Sequence, residues 1–301
     1  MRALLLYNPN AQTTTPAVID EITMALSAEL KLDVEATKRR DHAGFLAAGA
    51  VHEGYEVVIV LGGDGTLNEV LQGVAETPIH LAVLPGGSTN VFTRILGLPR
   101  DPLEATAQVL RKLRDGERRT INLGIANDRY FAFCAGWGYD AEVVRMVDAR
   151  ARLKRSVRQA TFLWCGFLAK VTSRSRIADA TLRTSDEEEL PGLASLVCCN
   201  ADPYTFLGPL RSRMCPEADL DLALDVTGLT RARFLDLARL TRAALTSGRV
   251  NRLPFVRTWH DRSEYTITNH TPLPLHTDGE FLGETATLRL RSVPGGLTVV
   301  A

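Results

Sequence analysis

Cysteine is scarce: five in 301 residues, an odd number with no Cys-x-x-Cys pair. That usage excludes a disulfide scaffold and a thiolate zinc site, and it fits a reduced, cytoplasmic protein. No apolar run approaches the roughly 20 residues needed to span a bilayer. The richest stretch, 160–169, ends at Lys170. Only the five apolar residues 3–7 separate Arg2 from Asn8, too few for the centre of a signal peptide, so no leader is expected. Charge of one sign is also missing. Lys plus Arg and Asp plus Glu number 35 each, and the formal net charge is zero. A whole-surface cationic field for nucleic acid is therefore excluded, and no nucleic-acid partner is expected. Six histidines are scattered with no metal-ligand spacing. His270 and His276 flank Thr-Pro-Leu-Pro and read as surface residues of a turn. With 45% apolar and 23% charged residues, what remains is the mix of an ordinary globular chain.

The first 120 residues alternate strand and helix patterns. Residues 3–7, 57–61 and 81–84 are short apolar runs, expected as strands, and 32–37 is expected as a further strand. Thr15-Pro16 and Asp101-Pro102-Leu103-Glu104 are helix starts with proline at the first helical position, and Asp41 opens a shorter helix that Gly54 closes. Strands separated by helices indicate a mainly parallel sheet. After Arg119 the rhythm changes. Asn127-Asp128 joins two strand-like runs, 120–125 and 130–135. More strand-like runs follow at 180–184, 194–199, 222–226, 264–268, 286–290 and 297–300, with helices near 140–171 and 231–247. The expected fold is an α/β domain with a parallel sheet over 1–120 and a larger β-rich, antiparallel sandwich-like domain over 121–301. The last strand, about 290–301, is a candidate to pack back onto the first domain.

In an open parallel sheet, ligands bind beyond the carboxyl ends of the strands. Three such ends are unusual here. The first runs into Asn8-Pro9-Asn10, the third into Gly62-Gly63-Asp64-Gly65-Thr66-Leu67-Asn68-Glu69, and the fourth into Pro85-Gly86-Gly87-Ser88-Thr89-Asn90. Glycine lets backbone approach an anion, and free N–H groups at a helix start attract phosphate. The Walker A pattern is absent, and so is Gly-x-Gly-x-x-Gly spacing. The chain is thus neither a P-loop NTPase nor a standard Rossmann oxidoreductase.

The motif Gly62-Gly63-Asp64-Gly65-Thr66-Leu67-Asn68-Glu69-Val70 resembles the signature of the diacylglycerol kinase catalytic domain family, which includes bacterial lipid kinases and sphingosine kinases. The resemblance continues through residues 85–94, Gly136-Trp137-Gly138-Tyr139-Asp140-Ala141 and Cys215-Pro216-Glu217-Ala218, and ends with Asp278-Gly279-Glu280. It implies a two-domain kinase that uses ATP and Mg²⁺. By resemblance, nucleotide contacts fall to Asn8, Pro9, Thr37, Gly62, Gly63, Gly65, Thr66, Gly86, Gly87, Ser88, Thr89 and Asn90. Asp64 is implied beside the phosphates and magnesium. Glu280 is implied as the general base on the acceptor hydroxyl, with Asp64 as the alternative. Asp219 and Asp221 stand where the family has a structural magnesium site, although the usual Asp-Gly step is missing, and a solvated acidic turn is the competing reading. Asn122 replaces a family aspartate of a magnesium-linked network. On its own, Asp278-Gly279-Glu280 reads equally as a hairpin turn.

Between Arg145 and Arg176 nine basic residues face a single acid, Asp148. The apolar stripe through Val157, Ala160, Trp164 and Val171 makes this either a basic amphipathic helix at an anionic membrane or a core-facing helix with a solvated cationic face. The resulting expectation is a lipid kinase acting on diacylglycerol or a similar lipid alcohol, cytoplasmic and transiently membrane-associated through 145–176, with a homodimer left open. Two alternatives stand beside it: a soluble-metabolite kinase of the NAD kinase type, and a non-catalytic nucleotide-binding regulator on the same fold.

Overall fold

The run Val57–Gly62 is buried along its whole length, as an interior strand of a helix-covered parallel sheet must be. It is β3 of a computed structural model that describes residues 1–151 and 179–301. The chain divides into two compact units. One comprises Met1–Leu123 with Pro294–Ala301, and the other Gly124–Val293.

In the first unit the elements follow in the order β1 (Arg2–Tyr7), α1 (Pro16–Ser27), β2 (Lys31–Ala36), α2 (His42–His52), β3, α3 (Asp64–Val74), β4 (His80–Pro85), α4 (Val91–Ile95) and α5 (Pro102–Asp115). All neighbouring strands are parallel. β1 lies between β2 and β3, β3 pairs with β4, and Thr298–Val299 of the last strand add to β4 at His80–Leu81. Local chemistry sets the helix ends. The Thr15 hydroxyl accepts the Val18 N–H at 3.3 Å, with Pro16 at the first helical position. The Asp101 carboxylate accepts from Leu103 and Glu104, and Gly116 closes α5 in the left-handed region. α2 departs from expectation: Asp41 makes no capping bond, and the Ala43 N–H goes instead to the Glu69 carboxylate on α3.

In the second unit the strands are antiparallel. They are β5 (Arg119–Ala126), β6 (Arg129–Phe131), β7 (Cys134–Trp137), β8 (Ala180–Thr184), β9 (Glu189–Leu193), β10 (Ser195–Cys199), β11 (Thr205–Leu207), β12 (Leu210–Ser212), β13 (Leu224–Leu229), β14 (Val256–Arg262), β15 (Glu264–Thr277) and β16 (Glu280–Val299); the first and last of these begin or end in the other unit. Its helices are α6 (Tyr139–Ala151) and α7 (Phe234–Thr246). The sheet runs β14-β13-β10-β7-β15-β16, with β8 also on β15. Trp137, Phe131 and Tyr265 fill its core. The α/β-plus-β-rich architecture is the one expected, but several elements differ. The run 130–135 splits into β6 and β7, because the amides of 132–134 are taken by a side chain rather than by a ladder. Residues 286–290 and 297–300 belong to one long strand, β16. The Thr-Pro-Leu-Pro stretch is no turn. It lies inside β15, where the pairing register shifts between Thr268 and Leu273, and His276 is fully buried rather than on the surface. Most of the basic stretch 145–176 lies outside the described residues. Among the described residues no helix is long and apolar enough to cross a membrane.

One polar pair ties β13 to β14. His260 Nδ1 lies 2.9 Å from Asp225 Oδ1, which also accepts the Asp261 N–H. That bond, with the Asp225, Glu217 and Asp261 charges, raises the His260 pKa above its ordinary value, while burial raises that of Asp225. A raised histidine adds stability that is complete below the unfolded pKa of about 6.5 and is lost as pH rises through the folded value. The raised aspartate acts in the same direction at lower pH, just above the ordinary carboxylate range. His260→Gln should therefore lower the thermal midpoint most below pH 6.5, with the gap narrowing as pH rises above that. Melts of both proteins across that range check it, and a gap that widened with pH would reverse the assignment.

Candidate active site

The parallel register of β1, β3 and β4 brings their carboxyl ends level: Tyr7 opposes Leu61, and Gly62 opposes Pro85. Beyond them the chain continues the ladder for one step. Asn8 N–H donates to Leu61 O at 3.0 Å, and Gly86 N–H to Gly62 O at 2.8 Å. The two glycine loops then lie directly on each other. A Cβ built on Gly86 would stand 2.7 Å from the Cα of Gly62, and one on Gly87 2.8 Å from the Cα of Gly63. A Cβ on Gly62 would meet the Thr66 side chain at 2.7 Å. Gly86 and Gly87 are required by backbone-on-backbone contact, and Gly62 by the Thr66 side chain. Gly65 is different. It sits in the first turn of α3 with open space before it.

Gly63 is the N-cap of α3, and a residue without a side chain cannot cap. The N-cap residue therefore contributes no side-chain bond to the N–H groups of the first turn, and such groups attract anions. Around it, Asn8 Nδ2 donates to Thr66 Oγ1 at 3.2 Å, tying the β1 end to α3. Asn90 closes the second loop on itself, its Oδ1 accepting from Gly87 N–H and its Nδ2 donating to Gly87 O, both at 2.8 Å. Thr13 holds that loop from the other side, through its N–H to Gly86 O and its hydroxyl to Pro85 O. Ser88 is exposed, Thr89 half-buried and Pro9 exposed. Thr37 spends its N–H on Tyr7 O at 2.9 Å. The predicted residues Asn8, Gly62, Gly63, Gly65, Thr66, Gly86, Gly87 and Asn90 are thus gathered on one sheet edge.

Asp64 performs a task that its motif does not announce. Its two carboxylate oxygens accept the N–H groups of Val91 at 3.0 Å and Phe92 at 3.2 Å, capping α4. Glu69 of the same motif caps α2. Asn122 Oδ1 accepts the Gly295 N–H at 2.9 Å, an interaction that needs no metal. Asp219 and Asp221 lie on an exposed loop of the other unit, where Asp219 Oδ1 accepts the Asp221 N–H. Among the described residues no three His, Cys, Asp or Glu side chains gather into a metal-binding cluster. A Mg²⁺ beside Asp64 would accordingly take most of its ligands from phosphate oxygens and water, its usual arrangement in kinases.

In the second unit, Thr277 and Glu280 pair across a two-residue turn. Asp278 and Gly279 both have positive φ, the demand of a type I′ hairpin. Asp278 is buried and its carboxylate accepts three backbone N–H groups, from Ala132, Phe133 and Cys134, at 2.8–3.1 Å. This clamps the turn and presents Glu280, whose Oε2 lies 3.3 Å from Arg129 Nη2. One strand earlier, His276 Nε2 meets Asp140 Oδ2 at 2.6 Å, and the Tyr204 hydroxyl donates to the same carboxylate. Burial beside Asp140 pushes the Tyr204 phenol far up, and burial pushes neighbouring Tyr139 up to about 12. Arg129, Tyr204 and the burial of His276 had no sequence signal. The Gly-x-Gly-x-Asp spacing of 136–140 did carry one, since a Cβ on Gly136 would collide with Asp140 and His276.

The two kinds of glycine separate experimentally. Gly65→Ala should raise the thermal midpoint, by about 0.5–1 kcal/mol of helix propensity. Gly86→Ala should lower it by about 1–3 kcal/mol through overpacking. Chemical denaturation of both variants tests this, and equal effects would remove the backbone-contact explanation.

Comparison with known proteins agrees with this geometry. Residues 2–142 match the diacylglycerol kinase catalytic domain. A diacylglycerol kinase of Staphylococcus saprophyticus is 27% identical over 94% of this chain and 90% of its own length. One from Staphylococcus aureus is 28% identical over 94% of this chain and 87% of its own. The crystal structure of a diacylglycerol kinase from Bacillus anthracis superposes with a TM-score of 0.76 at 22% identity, covering 99% of this chain and 96% of that one. A second Bacillus anthracis structure gives the same TM-score at 20% identity. With its signature loops stacked at the sheet edge, the chain matches the diacylglycerol kinase catalytic domain over residues 2–142 and is similar to curated diacylglycerol kinases along most of its length.

Proposed function

We propose that this protein transfers the γ-phosphoryl group of ATP, with Mg²⁺, to the hydroxyl of diacylglycerol or a closely similar lipid alcohol. The observation that carries the reading is the side-chain-free start of α3, floored by the Gly62-Gly63 and Gly86-Gly87 contact. It offers amides where phosphoryl transfer needs them, because that reaction demands positioning and neutralisation of phosphate charge more than covalent help. Asn8, Thr66 and the 86–90 turn orient the triphosphate, and Asp64 is placed to share the metal. ATP and Mg²⁺, when bound, supply the phosphoryl group and the charge that offsets its oxygens. Glu280 accepts the proton of the acceptor hydroxyl, with Arg129 holding its carboxylate in place and Asp278 fixing the turn beneath it.

Incubation with γ-labelled ATP and mixed micelles of diacylglycerol should give labelled phosphatidic acid. Label appearing only on NAD would sink the lipid reading in favour of a soluble-metabolite kinase. Glu280→Gln should keep ATP binding and lose about two orders of magnitude or more in turnover. Unchanged turnover would remove Glu280 from proton transfer and point to Asp64. Asp278→Ala should instead cost about 3 kcal/mol or more in stability, since three buried N–H groups lose their acceptor.

A further inference from the structure

We infer that the outer face of α7, together with the neighbouring strand β12, docks on an anionic lipid bilayer. The inference rests on the lipid reading above and names the surface through which such an enzyme reaches its substrate. α7 turns Asp236, Leu240 and Ala244 inward. Leu235, Arg239 and Arg242 follow at i, i+4 and i+7 on the opposite side, and all three are exposed. Leu235 is 65% exposed and Leu210, on the β12 strand that packs against α7, is 50% exposed. Large apolar side chains at that exposure, set among arginines, form the surface of a helix that lies in a membrane interface. The charge is one-sided. Between Arg231 and Arg252 there are six arginines and a single acid, Asp236. That acid is buried and bound to Arg231 at 2.8 Å, so it does not offset the outward-facing Arg239 and Arg242. In a chain whose net charge is zero, this concentration is a local feature with a complementary partner: anionic headgroups, which attract each surface arginine.

Vesicle sedimentation without ATP tests this directly. Wild-type protein should bind vesicles of equal parts phosphatidylglycerol and phosphatidylcholine, more weakly at high salt, and should leave pure phosphatidylcholine in solution. R239E/R242E should weaken binding by roughly thirtyfold or more. Leu235→Ser should weaken it by roughly tenfold. Both variants should keep the wild-type thermal midpoint and the wild-type transfer rate to a dispersed short-chain diacylglycerol. Equal binding to neutral vesicles, or variants that bind as wild type, would overturn the inference. So would a wild-type dimer that the variants convert to monomer in sedimentation velocity, or binding to a DNA duplex with none to vesicles. Loss of vesicle binding by the variants, with no lipid phosphorylated by any form, would sink the kinase reading and leave the docking surface standing.

Discussion

Everything in the N-terminal unit follows from two pieces of backbone touching without side chains between them. Gly62-Gly63 and Gly86-Gly87 lie at the ends of adjacent parallel strands, close enough that one methyl group at Gly86 would overlap a main-chain atom. Because the loops share a floor, α3 begins where the second loop turns, and the Gly86 amide extends the ladder one residue past β4. The arrangement leaves one helix start without a capping side chain in a unit where α1 and α5 are each capped by Thr15 and Asp101. An uncapped start costs stability in an isolated helix. Such a start at the carboxyl edge of a parallel sheet is the feature that the proposed function uses for phosphate.

The acidic residues of the signature motifs serve the backbone first. Asp64 caps α4, Glu69 caps α2, and Asp278 gathers three amides of the segment between β6 and β7. Each is a charged acceptor for N–H groups that the ladder or helix cannot satisfy, and such bonds are stronger than neutral ones. Glu280 Oε2, by contrast, lies 3.3 Å from a guanidinium nitrogen of Arg129. A carboxylate facing a guanidinium can exchange that partner for a substrate hydroxyl without unpicking the fold, whereas one holding three main-chain amides cannot. The division of labour between the adjacent acids of Asp278-Gly279-Glu280 is therefore structural for the first and open to chemistry for the third.

How much of this was legible follows residue by residue. β1, β3 and β4 are short apolar runs, readable because burial on both faces leaves an unbroken run, whereas β2 at the sheet edge is largely exposed. The glycine loops were readable as a pair, since glycine has few other reasons to recur at two strand ends. The reading failed where a long-range partner decides. Nothing near Asp41 shows that α2 is capped by Glu69, 26 residues away by the bond to Ala43. Nothing near His276 shows that Asp140 and Tyr204 enclose it, and two prolines beside it mimic a turn while the strand merely shifts register. Strand β16 was read as two pieces because the residues between them, ending in Pro-Gly-Gly, carry turn chemistry in a stretch that pairing keeps extended.

The choice between Asp64 and Glu280 as proton acceptor turns on the same distinction. Both Asp64 oxygens already receive amide hydrogens, so accepting a proton there would compete with the bonds that start α4. A magnesium ion completing its shell from phosphate oxygens and water needs no more than one or two such carboxylates. In the proposed reaction, proton acceptance then falls to Glu280, whose carboxylate faces the Arg129 guanidinium. The proposed function therefore assigns the two carboxylates different roles, since a proton on Asp64 would be set against the bonds that start α4.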